Sequence, residues 1–305
     1  MPVSWIDALK QRWLRLCILG ALLLALPIGC AQLEQKEREL VFRVESGTAS
    51  WYGGLPAEVV EMQLNSSDFL AGQSVHAWWW PAPRRDAPAL LYLHGSRWNL
   101  TGQLFRIEQL HDLGFSVLAI DYRGFGESPG ELPSERSVNQ DARIAWQRLE
   151  QLQPAAGKRY IYGHSLGGAV AVDLAEELSQ DAESEGRAPA AGGLIIESTF
   201  TNLADMAASI AHTSLPIRWI LSQKFDSLEK IDKVRLPLLI VHGTNDRYVP
   251  PRFSEELFEA AHEPKQLVMV EGGTHNNSMR LGGRQYRQAL ERLLGEVPAQ
   301  AARGD

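Results

Sequence analysis

An open, mainly parallel β-sheet with helices on both faces is the fold class this sequence predicts, and three observations carry the prediction. Short apolar, β-rich runs alternate with helical patterns from residue 57 onward. Several of these runs are apolar throughout, as in strands buried on both faces, and such alternation builds a doubly wound α/β domain. Glycine-containing loops with chemically capable side chains fall directly after the strands, where open α/β sheets bind their ligands.

Eight strands are expected, at Val59–Leu64, Val75–Trp80, Ala89–Leu93, Ser116–Ile120, Arg159–Tyr162, Gly193–Glu197, Leu238–Val241 and Gln266–Val270. Helical patterns lie between them, at about 102–113, 134–152, 166–179, 253–261 and 283–295. The first two strands flank Asn65-Ser66-Ser67-Asp68 and Gly72, which predicts an antiparallel edge hairpin. The acidic, small-residue stretch Gln180–Gly192 predicts a surface loop. The folded body is expected over 57–297, with an insertion of roughly 40 residues at 198–236 and a tail at 298–305.

Composition narrows the function classes. The chain has 305 residues, 37 acidic against 30 basic, for a formal charge of −7, and 45% of its residues are hydrophobic. That balance excludes a fully disordered chain. It also argues against a nucleic-acid partner, since an acidic chain without a basic stripe repels phosphate. The only cysteines are Cys17 and Cys30, so the body has neither a disulfide framework nor a thiolate metal site. No cluster has metal-ligand spacing, and no metal or other cofactor is expected.

The N-terminus carries an address. Lys10, Arg12 and Arg15 precede an uncharged stretch of 18 residues that ends before Glu34. A cationic start followed by an apolar run describes a secretory signal. Leu26-Pro-Ile-Gly-Cys30 resembles the bacterial lipoprotein box, in which Cys30 is lipidated and becomes the new N-terminus, although Pro27 stands where Leu is usual. An uncleaved signal anchor is the alternative, at the short end for a spanning helix. In both readings the basic flank stays in the cytoplasm and the body lies outside it, in the periplasm. Residues 31–56 are then expected to be a tether.

Arg159-Tyr-Ile-Tyr-Gly-His-Ser165-Leu-Gly-Gly168 runs from a strand through Gly-x-Ser-x-Gly into a helix. The sharp turn exposes the Ser165 hydroxyl, and the small glycines let strand and helix pass close by. His164 is expected to point away and pack. A serine nucleophile needs a base, and the base needs an orienting carboxylate, in the order Ser, Asp, His on this kind of sheet. Asp246 follows the strand Leu238–Val241 in His242-Gly-Thr-Asn-Asp, and His275 follows the last strand in Glu271-Gly-Gly-Thr-His. Of eight histidines, only His275 sits in a loop after the last strand, and His94 and His242 read as packing or loop support. Two backbone N–H groups must meet the developing oxyanion. They are assigned to Leu166, after the nucleophile, and to Ser96 in the loop after the third strand, with Arg97 as the alternative to Ser96.

Several blocks together then identify a resemblance: His94-Gly95 with Asn99-Leu100-Thr101, Asp121-Tyr-Arg-Gly-Phe-Gly-Glu-Ser128, Tyr162-Gly-His-Ser-Leu-Gly-Gly168, Glu197-Ser-Thr-Phe-Thr-Asn202 and His242-Gly-Thr-Asn-Asp246. From about 75 to 293 the chain resembles the α/β-hydrolase superfamily, in particular the small-lid, membrane-tethered hydrolases of the ABHD type. Relatives of that type have Asn in place of Ser96 and small residues in place of Arg97 and Trp98. The resemblance implies a triad of Ser165, Asp246 and His275, and a short lid at 198–236 with Met206, Ile210, Leu215, Pro216, Ile217, Trp219 and Ile220 as its apolar face. The expected activity is hydrolysis of carboxylic esters or thioesters through an acyl-enzyme, on lipid-like or acylated small molecules at the membrane. A serine peptidase of the same fold and an inactive membrane-anchored binding protein are the alternatives.

Overall fold

A computed structural model describes residues 29–67, 72–211 and 217–295. Its centre is one eight-stranded sheet in the order β1-β2-β4-β3-β5-β6-β7-β8. The strands are β1 (Val60–Leu64), β2 (Val75–Trp80), β3 (Ala89–Leu93), β4 (Ser116–Ile120), β5 (Arg159–His164), β6 (Gly193–Glu197), β7 (Leu238–Gly243) and β8 (Lys265–Val270). β2 runs antiparallel to both β1 and β4, and every other pairing is parallel. The expected α/β sheet and its edge hairpin are therefore present. β3, β4 and β6 are buried at every residue, which is why they are apolar without alternation.

The helices are α1 (29–42), α2 (Leu100–Asp112), α3 (Glu135–Leu152), α4 (Leu166–Ser184), α5 (Leu203–Ala211), α6 (Ser227–Ile231), α7 (Arg252–Ala260), α8 (Ser278–Leu281) and α9 (Gly283–Leu294). The sheet separates two apolar layers. One gathers α3 and α4 residues such as Val138, Trp146, Val170 and Leu174; the other gathers Leu104, Ile107, Tyr286 and Leu290 from α2 and α9. α4 continues to Ser184, so the loop expected from Gln180 begins later. Ser179 and Ala182 are buried on this last turn, which holds the acidic segment helical.

The largest departure lies before the sheet. Where a tether was expected over 31–56, residues 29–42 form a helix, α1, docked on the body. Phe42 is fully buried and meets Phe225 edge-on, with ring centroids 6.2 Å apart. The buried Glu37 carboxylate accepts bonds from Ser222 N–H and Oγ–H at 2.8 Å and from Gln223 N–H at 2.7 Å. Arg38 Nε donates to the Pro133 carbonyl at 2.7 Å. These partners are 95 or more residues away along the chain, so no local pattern announces them.

Residues 1–28 and the tail from 296 lie outside the described residues, as do Leu215 and Pro216. Among the described residues no helix is long and apolar enough to cross a membrane. Cys30 is exposed on α1.

Candidate active site

The residues singled out in the sequence converge at the carboxyl ends of the parallel strands. Ser165 sits between β5 and α4 at φ 56°, ψ −121°, a backbone conformation that costs a non-glycine residue about 1–3 kcal/mol. Close packing imposes it. A Cβ on Gly163 would strike the Gly167 backbone, and one on Gly167 would strike the Leu93 and His94 carbonyls. Ser165 N–H donates to the Glu197 carbonyl at 2.9 Å, and Thr199 Oγ1 donates to the Ser165 carbonyl at 2.8 Å. The Ser165 turn is thus pinned from β6 and the loop after it.

Asp246 follows β7 and His275 follows β8. His275 Nδ1 lies 2.8 Å from Asp246 Oδ2. The carboxylate can only accept there, so Nδ1 carries the proton of that bond. The other oxygen, Oδ1, accepts from Tyr248 N–H at 2.8 Å and Val249 N–H at 3.0 Å. Burial alone would raise the Asp246 pKa, but the bonds from His242 and His275 outweigh it and hold the carboxyl well below the usual carboxylate range. Asn245 N–H donates to the Gly273 carbonyl at 2.8 Å, tying the acid loop to the base loop.

The loop after β3 comes close to the nucleophile: a Cβ on Gly95 would stand 3.1 Å from Ser165 Cβ. Arg97, the alternative oxyanion donor, is already committed. Its N–H donates to the Phe42 carbonyl at 2.9 Å, and its carbonyl accepts from Glu45 N–H at 2.8 Å. Arg97 also adopts φ 86°, a conformation that favours glycine. The N–H of Ser96 has no such acceptor among the described residues. The end of α1 thereby clamps the loop that carries Ser96.

Ser165, Leu166, Ser96, Asp246 and His275 line one cleft of about 1180 Å³. Part of its apolar wall comes from the 198–236 insertion through Phe200, Leu203, Met206, Ile210, Ile220 and Leu221. A second part is α1, which contributes Leu33, Leu40 and Val41. Trp219, expected on the apolar face, is 90% exposed and does not line the cleft.

Supporting residues lie beneath the site, and sequence reasoning passed over them. Arg106 of α2 and Glu197 of β6 are both buried and paired at 3.0 Å. Tyr162 Oη–H donates to the second Glu197 oxygen at 2.7 Å. His164 Nε2 lies 2.8 Å from the His275 carbonyl and 3.2 Å from Arg106 Nη2. Burial and the neighbouring Arg106 charge push the His164 pKa well below its ordinary value, so the ring is neutral. The shorter contact requires Nε2–H to donate to the His275 carbonyl, which makes His164 a positioning residue for the base. His242 supports the loop and also touches the acid: Nδ1 meets Ser254 Oγ at 2.6 Å, and Nε2 lies 3.0 Å from the Val249 carbonyl and 3.2 Å from Asp246 Oδ2. The block beginning at Glu197 was visible as a motif, but its partner Arg106, 91 residues earlier, was not.

Solved α/β-hydrolase structures share this architecture. An esterase of Pyrococcus furiosus superposes with a TM-score of 0.61 at 18% identity, covering 82% of this chain and 98% of that one. Est1E of Butyrivibrio proteoclasticus, solved with ferulic acid, gives 0.58 at 19% identity, covering 77% and all of that chain. The serine aminopeptidase S33 family profile matches residues 88–231 and 226–278. The chain belongs to that family of the α/β-hydrolase superfamily. An uncharacterised protein of Mycobacterium tuberculosis is 38% identical over 228 residues, 74% of this chain and 76% of its own length. The lysophosphatidylserine lipase ABHD12 of Danio rerio is 34% identical over 206 residues, 62% of this chain and 51% of its own.

Proposed function

We propose that the protein is a serine hydrolase that cleaves carboxylic esters or thioesters of amphipathic, lipid-like substrates at a membrane. The observation that carries the reading is the 2.8 Å His275–Asp246 bond opening onto the same cleft as the strained Ser165. Ser165 Oγ attacks the substrate carbonyl carbon as His275 Nε2 takes its proton. The resulting oxyanion is held by Leu166 N–H and Ser96 N–H. Collapse expels the leaving group, which receives the proton from His275 and leaves an acyl-Ser165. Water, deprotonated by His275, then releases the acid and restores Ser165.

The cleft lining favours a lipid-like ester over a peptide. Its apolar walls suit an acyl chain, and Lys36, Arg43, Arg97 and Arg247 line it as well. An aminopeptidase needs a carboxylate for the substrate's ammonium group. The acidic residues lining this cleft are Glu37 and Asp246, and each is already engaged by donors of the protein. The lipase named among the relatives supports a lysophospholipid-like substrate, and the apolar N-terminal stretch supports tethering outside the cytoplasm, by Cys30 lipidation or a signal anchor.

The test is hydrolysis of p-nitrophenyl esters from acetate to palmitate by the full chain, beside Ser165→Ala. Loss of the nucleophile should lower turnover on the order of 10⁶-fold, with a preference for longer acyl chains in the wild type. Equal rates in both proteins would remove Ser165 as nucleophile. Silence on every ester would favour the binding-protein alternative.

A further inference from the structure

Large apolar side chains exposed on the described surface are concentrated at one place. Nine are more than half exposed, and six of them line the cleft: Leu33, Leu40, Trp51, Ile210, Ile220 and Tyr248. Trp219, the most exposed of the nine, adjoins Ile220 in sequence. Only Val60 and Leu281 lie elsewhere. The rim is assembled from α1, the irregular segment after it, the insertion and the loop after β7, so four separate segments converge on one wet apolar rim. An acyl chain in the cleft would cover the inner walls but would leave Trp219 in water. Apolar patches of this kind mark interaction surfaces, and Trp and Tyr favour the boundary between hydrocarbon and water.

The chain itself says what covers the rim. The uncharged stretch after Arg15 leads directly into α1. Leu33 stands three residues beyond Cys30, which is about 5 Å at 1.5 Å rise per helical residue. An anchor at or before Cys30 therefore delivers the rim to the bilayer surface with almost no slack. Of the cationic side chains around the cleft, Lys36 and Arg97 pair with Glu39 and Glu45, while Arg43 and Arg247 have no ion-pair partner among the described residues and can meet lipid phosphates.

We propose that the mouth of the cleft seats directly on the lipid bilayer, with Trp219 inserted at the headgroup boundary. The substrate then reaches Ser165 from the membrane without crossing water. This orientation rests on the membrane tethering proposed above, and it can be read without any hydrolysis.

The experiment uses the full chain reconstituted in phosphatidylcholine–phosphatidylglycerol vesicles, with and without brominated acyl chains, beside Trp219→Phe. The difference in tryptophan fluorescence between the two proteins isolates Trp219 from the other eight tryptophans. Bromine should quench that difference by more than half. A difference that bromine leaves unchanged, as it would if the rim faced water or a second copy of the chain, overturns the proposal. A kinetic arm asks the same question of the active enzyme. Trp219→Glu should lower hydrolysis of a long-chain ester resident in the bilayer about 10-fold and leave p-nitrophenyl acetate hydrolysis in the same vesicles unchanged. Equal effects on both substrates, or none on either, would contradict the seating. Loss of all esterase activity in the wild type with the quenching intact would sink the hydrolase reading alone.

Discussion

The ends of β5, β7 and β8 and the arm formed by residues 29–52 face each other across one cleft, yet they differ in how the chain specifies them. At the strand ends, neighbours in the chain shape each chemical group, and β6, the loop after it and His164 hold it from farther along the chain. Gly163 and Gly167 force the Ser165 turn, and the Asp246 carboxylate bonds the N–H groups of Tyr248 and Val249, two and three residues on. The arm is fixed only by distant partners: Glu37 by Ser222 and Gln223, Phe42 by Phe225, and the Phe42 carbonyl by Arg97. Local geometry writes a local motif; docking across the fold does not. The strand ends bring Ser165, Asp246 and His275 to one cleft, while the arm supplies part of its wall and a clamp on the loop that carries Ser96.

If the two regions divide the work in this way, substitutions should separate into chemistry and assembly. After Ser165→Ala, Asp246→Asn should give the largest effect on turnover, on the order of 10⁴-fold, because the amide no longer holds the His275 tautomer or its imidazolium; steady-state kinetics at constant fold, checked by circular dichroism, measures it. The acid side of stability offers a second reading of the same group. The depressed Asp246 pKa contributes stability that is fully present above the unfolded carboxylate value near 4 and is lost as pH falls through the lower folded value. Asp246→Asn should therefore flatten the stability profile below about pH 4.

Arg106→Met tests the support beneath the site. It leaves Glu197 buried without its cationic partner and should cost about 3–5 kcal/mol in urea unfolding. Glu37→Ala removes the acceptor for Ser222 and Gln223 and should cost about 1–3 kcal/mol. It should also lower kcat by loosening the Arg97–Phe42 clamp; stability loss with turnover unchanged would break the link between arm and oxyanion loop. The smallest effect should come from Ser96→Ala. Its contribution is a main-chain donor, so the turnover change should fall far below the ~10²–10³-fold that follows loss of an oxyanion donor.

Much of the sheet was legible because burial on both faces leaves an unbroken apolar run: β2, β3, β4 and β6 fall on the residues expected. Ser165, Asp246 and His275 were legible because sharp turns after strands need glycines at fixed offsets. His164 and His242 were read as packing because a histidine in a strand looks the same whether it fills space or holds a neighbour; only the 2.8 Å contact with the His275 carbonyl and the 3.2 Å contact with Asp246 separate the two. The arm was read as a tether because its charged residues look solvated, and burial of Glu37 against two backbone N–H groups leaves no periodic trace.

The central claim is that Ser165 is an activated nucleophile oriented by His275 and Asp246. The most direct measurement is labelling of the full chain with a fluorophosphonate, followed by intact mass and peptide mapping. The triad predicts one phosphonyl adduct per chain, on Ser165, absent in Ser165→Ala and formed far more slowly in Asp246→Asn. An adduct on another residue, or labelling of Ser165→Ala at the wild-type rate, would contradict it.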